Sequence, residues 1–251
     1  MNRKGLVSIS FRGIPAEKVA VSAKDAGLSW IEWGSDVHAP YNDSAKLANL
    51  AKFCEKTGVG ICSYGSYFRL GSDSNSLLSD YISAAKLLGT DIIRIWCGQK
   101  GFADYSADER TMMIDAAKEA ASIAAGENVT LCLECHNNTY TDCPEGATEM
   151  MTAVNSKHFA MYWQPNQFRT VDENLTYADE IAKYTKIIHV FQWKGSDRFP
   201  LSNGIDEWSL YLRRFDGSQK LLLEFMPDDR LESLPVEAHS LDMIIGKEHT
   251  K

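Results

Sequence analysis

The sequence lacks the features that identify several large classes of proteins. No run among its 251 residues is apolar enough to span a bilayer, and its first residues lack the long apolar segment of a secretory signal. Basic residues are not in excess, because the net charge is −8, and this disfavours nucleic-acid binding. We therefore predict a cytoplasmic protein that engages neither a membrane nor a nucleic acid.

The pattern of cysteines argues against a structural zinc site and favours a reducing compartment. The six cysteines do not include two CxxC pairs at the spacing of a zinc site. Cys132 and Cys135 have the CxxC spacing once, but in an extended strand their side chains would point to opposite faces. We predict that all six are reduced thiols, with disulfides as the alternative.

Short apolar runs alternate with stretches of helical periodicity along the whole chain. Eight strand–helix units predict an α/β fold with a parallel sheet, and 251 residues suit one (β/α)₈ barrel domain. An open doubly wound sheet is the alternative, although no GxGxxG or phosphate-loop motif follows the first predicted strand. The predicted strands are Leu6–Phe11, Trp30–Trp33, Val59–Tyr64, Asp91–Cys97, Val129–Cys135, Phe159–Gln164, Lys186–Trp193 and Lys220–Phe225.

Two of the predicted strands carry a glutamate at the end of an apolar run. Glu134 lies in LCLECH and Glu224 lies in LLLEF. Because ionising a carboxylate beside apolar surface is costly, such residues are usually paired with a cation or have a functional task. A barrel brings the carboxyl ends of its strands to one rim, so we predict that both glutamates face a shared cavity.

Side-chain alternation along each strand predicts which other residues reach this rim. Along each predicted strand, the inward-facing residues change from apolar to polar toward the carboxyl end, as expected for a packed barrel bottom that opens into a polar mouth. The inward-facing polar or aromatic residues near the mouth are Glu32, Arg94, Trp96, Glu134, His136, Gln164, Gln192, Lys194 and Glu224. His189 has the opposite parity to Lys194 and is predicted to pack beneath a helix unless a bulge intervenes in the strand. An internal ion-pair network is the alternative, above all for Glu32 with Arg94.

Aromatic residues near the strand ends indicate a type of ligand. Flat indole rings beside polar groups suit the apolar face of a sugar, whose hydroxyls need donors and acceptors. Aromatic residues also fill the space between strands and helices, and a histidine or tyrosine in a loop can simply cap it or cover the rim. The predicted substrate-binding residues are His38, Tyr64, Arg94, Trp96, His136, Trp163 and Lys194.

Taken together, these motifs make the sequence resemble the sugar phosphate isomerase/epimerase group of xylose isomerase-like TIM barrels along its whole length. Each motif alone is a soft pattern, and only their order is fairly specific for the superfamily. The resemblance implies one barrel domain over residues 1–251 and a small-molecule carbohydrate substrate, and it leaves a homo-oligomer open. The motifs are AKDAGLSWIEWGSDVHAP, ICSYGSYFRLG, IIRIWCG, LCLECHNNTYTD, MYWQPN, HVFQWKG and LLLEFMP.

The resemblance also implies one divalent metal ion, commonly Mn, Mg, Co or Zn, held by two glutamates, an aspartate and a histidine at strand ends. The glutamates correspond to Glu134 and Glu224, while Gln164 and Gln192 stand where the aspartate and histidine are expected. Because glutamine oxygen is a poorer ligand for transition metals, these replacements predict weakened metal binding. His136 is placed to compensate as a ligand or as a partner of one.

Isomerisation and epimerisation of sugars both require removal of a proton next to a carbonyl and stabilisation of the resulting enediolate. Glu134 and Glu224 fit two opposed bases, with Lys194, Arg94 and His38 as partners for the substrate oxygens. We therefore predict a metal-assisted isomerase or epimerase of a sugar or sugar phosphate. The alternatives are a sugar-acid dehydratase or other lyase on the same barrel, and a non-catalytic sugar-binding barrel.

Overall fold

The computed structural model describes residues 3–248, and it contains a closed barrel of eight strands with helices around it. Neighbouring barrel strands are parallel, which confirms the (β/α)₈ fold and excludes the open sheet. The strands are β1 (Lys4–Val7), β2 (Trp30–Gly34), β3 (Gly60–Leu70), β4 (Ile92–Cys97), β5 (Thr130–Glu134), β6 (Phe159–Trp163), β7 (Thr185–Val190), β8 (Trp193–Lys194), β9 (Asp197–Arg198) and β10 (Lys220–Leu223).

The barrel closes when β10 pairs with both β1 and β7, while β8 and β9 form a separate antiparallel hairpin after β7. The helices that connect the strands are α1 (Ala16–Asp25), α2 (Ser44–Thr57), α3 (Asn75–Leu88), α4 (Ala107–Gly126), α5 (Pro144–Val154), α6 (Val171–Ile181), α7 (Ile205–Leu212) and α8 (Leu234–Glu248). The ends of the predicted domain, residues 1–2 and 249–251, lie outside the described residues. Within that described part, no helix is both long and apolar enough to cross a bilayer.

Several helices begin and end at residues whose chemistry marks a boundary. Ser106 and Thr170 start α4 and α6 with capping boxes, in which each hydroxyl and a glutamate three residues later satisfy orphan backbone N–H groups. Gly58 and Gly89 end α2 and α3 in the left-handed conformation, with φ of 74° and 77°, which glycine adopts without strain. These endings let the chain turn directly into the next strand.

Apolar side chains form two clusters, one inside the barrel and one between the strands and the helices. Alternation along the strands separates them, because successive side chains point to opposite faces. Cys132 lies in the inner cluster and Cys135 in the outer one, as predicted, and all six cysteines are free thiols. The buried members of the inner cluster are Val7, Ile9, Cys62, Cys132, Ala160, Tyr162, Ile187 and Leu222.

The predicted alternation along the seventh strand was wrong. β7 ends at Val190 instead of continuing to Trp193, so the parity counted back from Lys194 does not apply to it. Ile187 and His189 face the barrel interior, whereas Lys186 is exposed. If Gln192 faced the barrel interior, Lys186 would face it too, because the two residues have the same parity. A lysine in the packed bottom of a barrel is costly. Lys186 therefore indicates from the sequence that the odd-numbered residues of β7 face inward.

Candidate active site

A cavity of about 240 Å³ lies at the carboxyl ends of the barrel strands. Its lining combines apolar and polar side chains, as expected for a small-molecule site. The apolar part includes Ile9, Trp96, Phe191, Trp193 and Phe225. The polar part includes Arg12, Tyr67, Arg94, Glu134, His136, Asn137, Asp142, Gln164, Asn166 and Glu224. Glu134 and Glu224 therefore face one shared cavity, which is the spatial arrangement that the sequence predicted.

Two donors from the neighbouring strand β4 hold one oxygen of Glu134. The guanidinium of Arg94 and the indole N–H of Trp96 both donate to its Oε2. Arg94 is 2% exposed, so this ion pair is shielded from water. Burial alone would raise the pKa of Glu134, but the positive charges of Arg94 and His189 hold it well below the usual range. Glu134 is therefore a fixed anion whose Oε1 stays available.

A further carboxylate, Glu32, lies beneath this pair and is fully buried. Its Oε1 accepts a hydrogen bond from Arg94 Nε at 3.1 Å, and its Oε2 accepts from Ser63 at 2.9 Å and from Tyr162 at 2.8 Å. The ion pair of Glu32 with Arg94, considered from the sequence, is confirmed. Arg94 thus joins two carboxylates, and these charged groups form one connected network.

The imidazole of His189 lies where the acidic groups meet. Its Nδ1 is 3.4 Å from Glu134 Oε1 and 3.5 Å from Glu224 Oε2, and it donates a hydrogen bond to Gln164 Oε1 at 3.0 Å. Burial alone would lower the pKa of His189, but Glu224, Glu134 and Glu32 together raise it to about 10. In the metal-free protein, the three surrounding glutamates therefore favour the positively charged form of His189.

Glu224 differs from Glu134 in its electrostatic environment. Burial and the negative charges of Glu134 and Glu32 raise the pKa of Glu224, and together they outweigh the opposing charges of His189 and Arg94. The next residue, Phe225, has a φ of 54°, which is strained for an aromatic residue, and its backbone N–H donates to Ser10 at 2.8 Å. This hydrogen bond ties the end of β10 to the turn after β1 and orients Glu224.

The donor set around His189 suits a divalent metal ion. Glu134, His189 and Glu224 each offer a ligand atom, and these atoms all lie within 4.8 Å of one another. The amide oxygen of Gln164, which lies 3.0 Å from His189 Nδ1, is a further candidate ligand atom. The buried carboxylates of Glu32, Glu134 and Glu224 carry three negative charges, and the buried guanidinium of Arg94 carries one positive charge. When His189 is uncharged, the net charge of this group is therefore −2, which a divalent cation would neutralise.

Polar side chains at the mouth of the cavity are linked to one another before any ligand binds. Arg12 donates to Asp36 and, at 2.7 Å, to the hydroxyl of Tyr67, whose ring packs edge-on against Trp96. The amide of Asn166 donates to Asn137 at 2.6 Å on another part of the lining. Such preorganised donors and acceptors suit a ligand with several hydroxyl groups.

Six residues predicted for the site line the cavity: Arg94, Trp96, Glu134, His136, Gln164 and Glu224. Their functional roles stay predictions. His136 Nδ1 donates to the carbonyl of Asn137 at 2.8 Å, and its ring lies 5.3 Å from that of Trp96. This hydrogen bond assigns the proton of the neutral ring to Nδ1 and leaves Nε2 as the basic nitrogen.

The placement predicted for two aromatic residues in the cavity was wrong. Tyr64 lies outside the barrel wall, where its hydroxyl donates to the carbonyl of Ala39 at 2.6 Å. Trp163 is buried between strand and helix, with its ring 6.1 Å from Trp208 and 5.3 Å from Tyr211. Both follow the structural alternative considered from the sequence, in which aromatic residues fill the gap behind the strands.

Three further residues lie away from the central cavity. His38 is buried with its Nε2 donating to the carbonyl of Ile14 at 2.9 Å, so it caps a loop. Gln192 is buried against Gly204, and Lys194 lies in the β8–β9 hairpin; both line a separate groove beside the cavity. Gln192 therefore lies apart from the candidate ligand atoms of Glu134 and Glu224, and the histidine beside those atoms is His189.

The sequence analysis missed several residues of the site. His189, whose Nδ1 lies near Glu134 and Glu224 beneath the cavity, was assigned to the wrong face. The lining residues Arg12, Asn137 and Asp142 were not considered. Arg12 follows the first strand and Asn137 follows LCLECH, so a search of every loop after a strand would have found both. Their contacts with residues 36 and 166 depend on the barrel curvature and carry no sequence signal.

A family model described as the xylose isomerase-like TIM barrel matches residues 21–219, so the chain belongs to this family. A curated relative, the 3-dehydroshikimate dehydratase of Bacillus anthracis, is 35% identical over 65 residues. The matched segment covers 26% of this chain and 23% of the relative. The chain therefore matches less than a quarter of that protein's length.

Solved structures with this fold include enzymes of two reaction types and metal-bound forms. The probable 3-DHS dehydratase of petrobactin synthesis from Bacillus anthracis has a TM-score of 0.79 at 18% identity, with 96% of this chain and 99% of that chain covered. An IOLI protein with bound zinc has a TM-score of 0.77 at 15% identity, with 99% and 100% covered. D-psicose 3-epimerase has a TM-score of 0.73 at 13% identity, with 98% and 99% covered.

Proposed function

We propose that this protein is a metal-assisted dehydratase that removes water from a small polyhydroxylated ketone or ketoacid. The proposal concerns the reaction class that the sequence analysis ranked second. Similarity to a 3-dehydroshikimate dehydratase, both over a short sequence segment and over the whole fold, supports it. A shared fold does not identify a substrate, so the main support comes from the geometry of the cavity.

The inequality of the two carboxylates is the observation that carries the proposal. An epimerase needs a base on each face of the substrate, whereas an elimination needs one base and one acid. Glu134 is held as an anion by Arg94 and Trp96 and has a pKa well below the usual range, so it is a poor proton acceptor. In the metal-free protein Glu224 has a raised pKa, because burial and the charge of Glu134 disfavour its anion, and this suits a group that accepts a proton and returns it.

In this mechanism Glu224 takes the proton from the carbon next to the substrate carbonyl, and an enolate forms. His136, as the imidazolium, gives its Nε2 proton to the hydroxyl on the adjacent carbon while Nδ1 stays bound to the carbonyl of Asn137. The carbon–oxygen bond breaks, water leaves, and the enolate electrons form the new carbon–carbon double bond. Proton exchange with solvent then restores both residues.

Glu134, His189 and Gln164 would hold the divalent ion together with one oxygen of Glu224, and the other oxygen of Glu224 would remain the proton acceptor. When bound, such an ion polarises the carbonyl and stabilises the negative charge that develops on its oxygen. Arg94 and Trp96 keep Glu134 Oε2 occupied, so that Oε1 remains directed toward the ligand set.

Sugar epimerisation is the second candidate, because Glu134 and Glu224 both approach His189 Nδ1, at 3.4 and 3.5 Å, and could face opposite sides of a bound ketose. The Asn137–Asn166 pair also suits sugar hydroxyls. If Glu134 Oε1 serves as a base in the metal-bound protein, this reaction would be available.

The test supplies purified protein with Mg²⁺, Mn²⁺, Co²⁺ or Zn²⁺ in turn and offers 3-dehydroshikimate or D-fructose. We expect loss of water from 3-dehydroshikimate, followed by the ultraviolet absorbance of the aromatic product. Glu224→Gln should abolish the signal, while Glu232→Gln, at an exposed glutamate, serves as the matched control. Interconversion of D-fructose with its epimer, without dehydration, would instead select the second candidate. Absence of both reactions with every metal would contradict the proposed substrate class.

A further inference from the structure

Glu32 is a buried carboxylate that the proposed mechanism does not use. It is fully buried beneath the cavity and does not line it, so it cannot contact a substrate. Its contacts with Arg94, Ser63 and Tyr162 hold both of its oxygens in fixed positions. A buried anion of this kind is costly, and three donors are more than an ion pair with one arginine requires. The arrangement therefore calls for a second role.

The ring of His189 connects Glu32 to the candidate metal site. Its Nδ1 faces Glu134, Glu224 and Gln164, while its Nε2 is buried, has no hydrogen-bond partner and lies 3.8 Å from Glu32 Oε1. The side of the ring away from the ligand set thus meets a carboxylate. Histidine ligands of metals commonly give their second N–H to such a group, which fixes the tautomer and the ring orientation.

Gly65 supplies the space that this arrangement needs. A Cβ at that position would lie 2.7 Å from Glu32 Oε1 and 3.1 Å from Arg94 Nη2, which is too close for the groups to remain where they are. The same oxygen, Oε1, faces His189 and accepts from Arg94. The absence of a side chain at residue 65 therefore lets Glu32 reach the imidazole, whereas Ser63 and Tyr162 bind the other oxygen.

We propose that Glu32 is a positioning residue that keeps the Nε2 proton of His189 and so presents Nδ1 to a divalent cation. This role rests on the proposed metal site, because it acts through a residue of the ligand set. Nε2 lies 3.8 Å from Glu32 Oε1, so this role requires a small rotation of the ring that brings the two atoms to hydrogen-bond distance. Glu32 thereby controls metal affinity without touching metal or substrate.

Zinc binding by the metal-free full-length protein tests the proposal, with calorimetry for affinity and ¹⁵N NMR of labelled histidine for the tautomer. We expect Glu32→Gln to weaken zinc binding by about 10- to 100-fold. Ser63→Ala, which removes a donor from Oε2 only, should leave the affinity within about threefold of the wild type. In the zinc-bound wild type, His189 should show a protonated Nε2 and a metal-bound Nδ1, with His189→Gln identifying its signals.

Each outcome separates this role from the metal site itself. Zinc uptake by the wild type that Glu32→Gln leaves unchanged would overturn the positioning role and retain the metal site. Ligation through Nε2 would overturn it in the same way. A wild type that takes up no zinc would overturn both. Gly65→Ala provides a second variant that displaces Glu32 without removing its charge, and loss of zinc affinity in that variant would support the role.

Discussion

The two sides of the cavity differ in how their carboxylates are held. On the side of β4 and β5, Arg94 and Trp96 bind one oxygen of Glu134, and the pKa of this glutamate is well below the usual range. On the side of β7 and β10, Glu224 meets His189 at 3.5 Å, and its pKa is raised. Two glutamates that look equivalent in the sequence therefore have different proton affinities.

This difference shows how one barrel can supply both a fixed anion and a proton carrier. For Glu134 the charges of Arg94 and His189 outweigh burial, whereas for Glu224 burial and the charge of Glu134 outweigh the charges of His189 and Arg94. A pair of titratable groups with separated pKa values is the usual basis for assigning acid and base roles. The following predictions test whether that separation exists and what maintains it.

The largest expected effect concerns Glu224. Replacing it with glutamine should lower kcat by about 10²- to 10⁴-fold, because the proton acceptor is lost. The fold should remain, since the change removes a buried charge that is repelled by Glu134. Steady-state kinetics and a thermal unfolding curve check the two statements. A variant that keeps wild-type kcat would show that Glu224 is not the proton carrier.

Loss of Arg94 should have the next largest effect. Arg94→Met leaves Glu32 and Glu134 buried without their common cation, and we expect the free energy of unfolding to fall by about 3–5 kcal/mol. Arg214→Met breaks an exposed ion pair with Asp179 and should cost less than about 1 kcal/mol. Urea denaturation of both variants measures the difference. Equal losses would mean that the buried network contributes no more than a surface pair.

Proton competition at His189 should produce a smaller, graded effect. Its pKa is raised above the ordinary value to about 10, so in the metal-free protein the stability contributed by protonation is complete below about pH 6.5 and is lost as the pH rises toward 10. A metal must displace that proton, so apparent affinity for Mn²⁺ should rise about tenfold per pH unit between about pH 6 and pH 8. Calorimetry measures this slope, and a pH-independent affinity would exclude His189 as the ligand.

The smallest expected effect distinguishes two tyrosines on the same strand, β3. Tyr67→Phe removes the hydroxyl that Arg12 and Asp36 share at the cavity mouth, and KM should increase several-fold with kcat little changed. Tyr64→Phe removes a hydrogen bond to Ala39 behind the barrel wall and should lower the free energy of unfolding by about 1 kcal/mol without changing KM. An increased KM in Tyr64→Phe with an unchanged KM in Tyr67→Phe would contradict the assignment of Tyr67 to the ligand-binding side of β3.

Some features of the site follow from local sequence and others do not. Arg94, Trp96 and Glu134 could be placed at the cavity because they continue the parity of apolar residues within short regular strands. For β3 the alternation could not be extended, because its register shifts between Gly65 and Arg69, and Tyr67 rather than Tyr64 reaches the mouth. For β7 the strand ends before the polar residues from which the parity was counted.

The sequence by itself determined the alternation of eight strands and helices and the convergence of Glu134 and Glu224 at one rim. It did so because the twofold period of a strand and the parallel arrangement of a barrel are local and repetitive properties. Only the tertiary structure determined that His189 faces both glutamates and that Arg94 pairs with one of them. Those contacts depend on where each strand ends and how strands shift past one another. Side chains as distant in sequence as Glu32 and Tyr162, which are 130 residues apart, meet as a result.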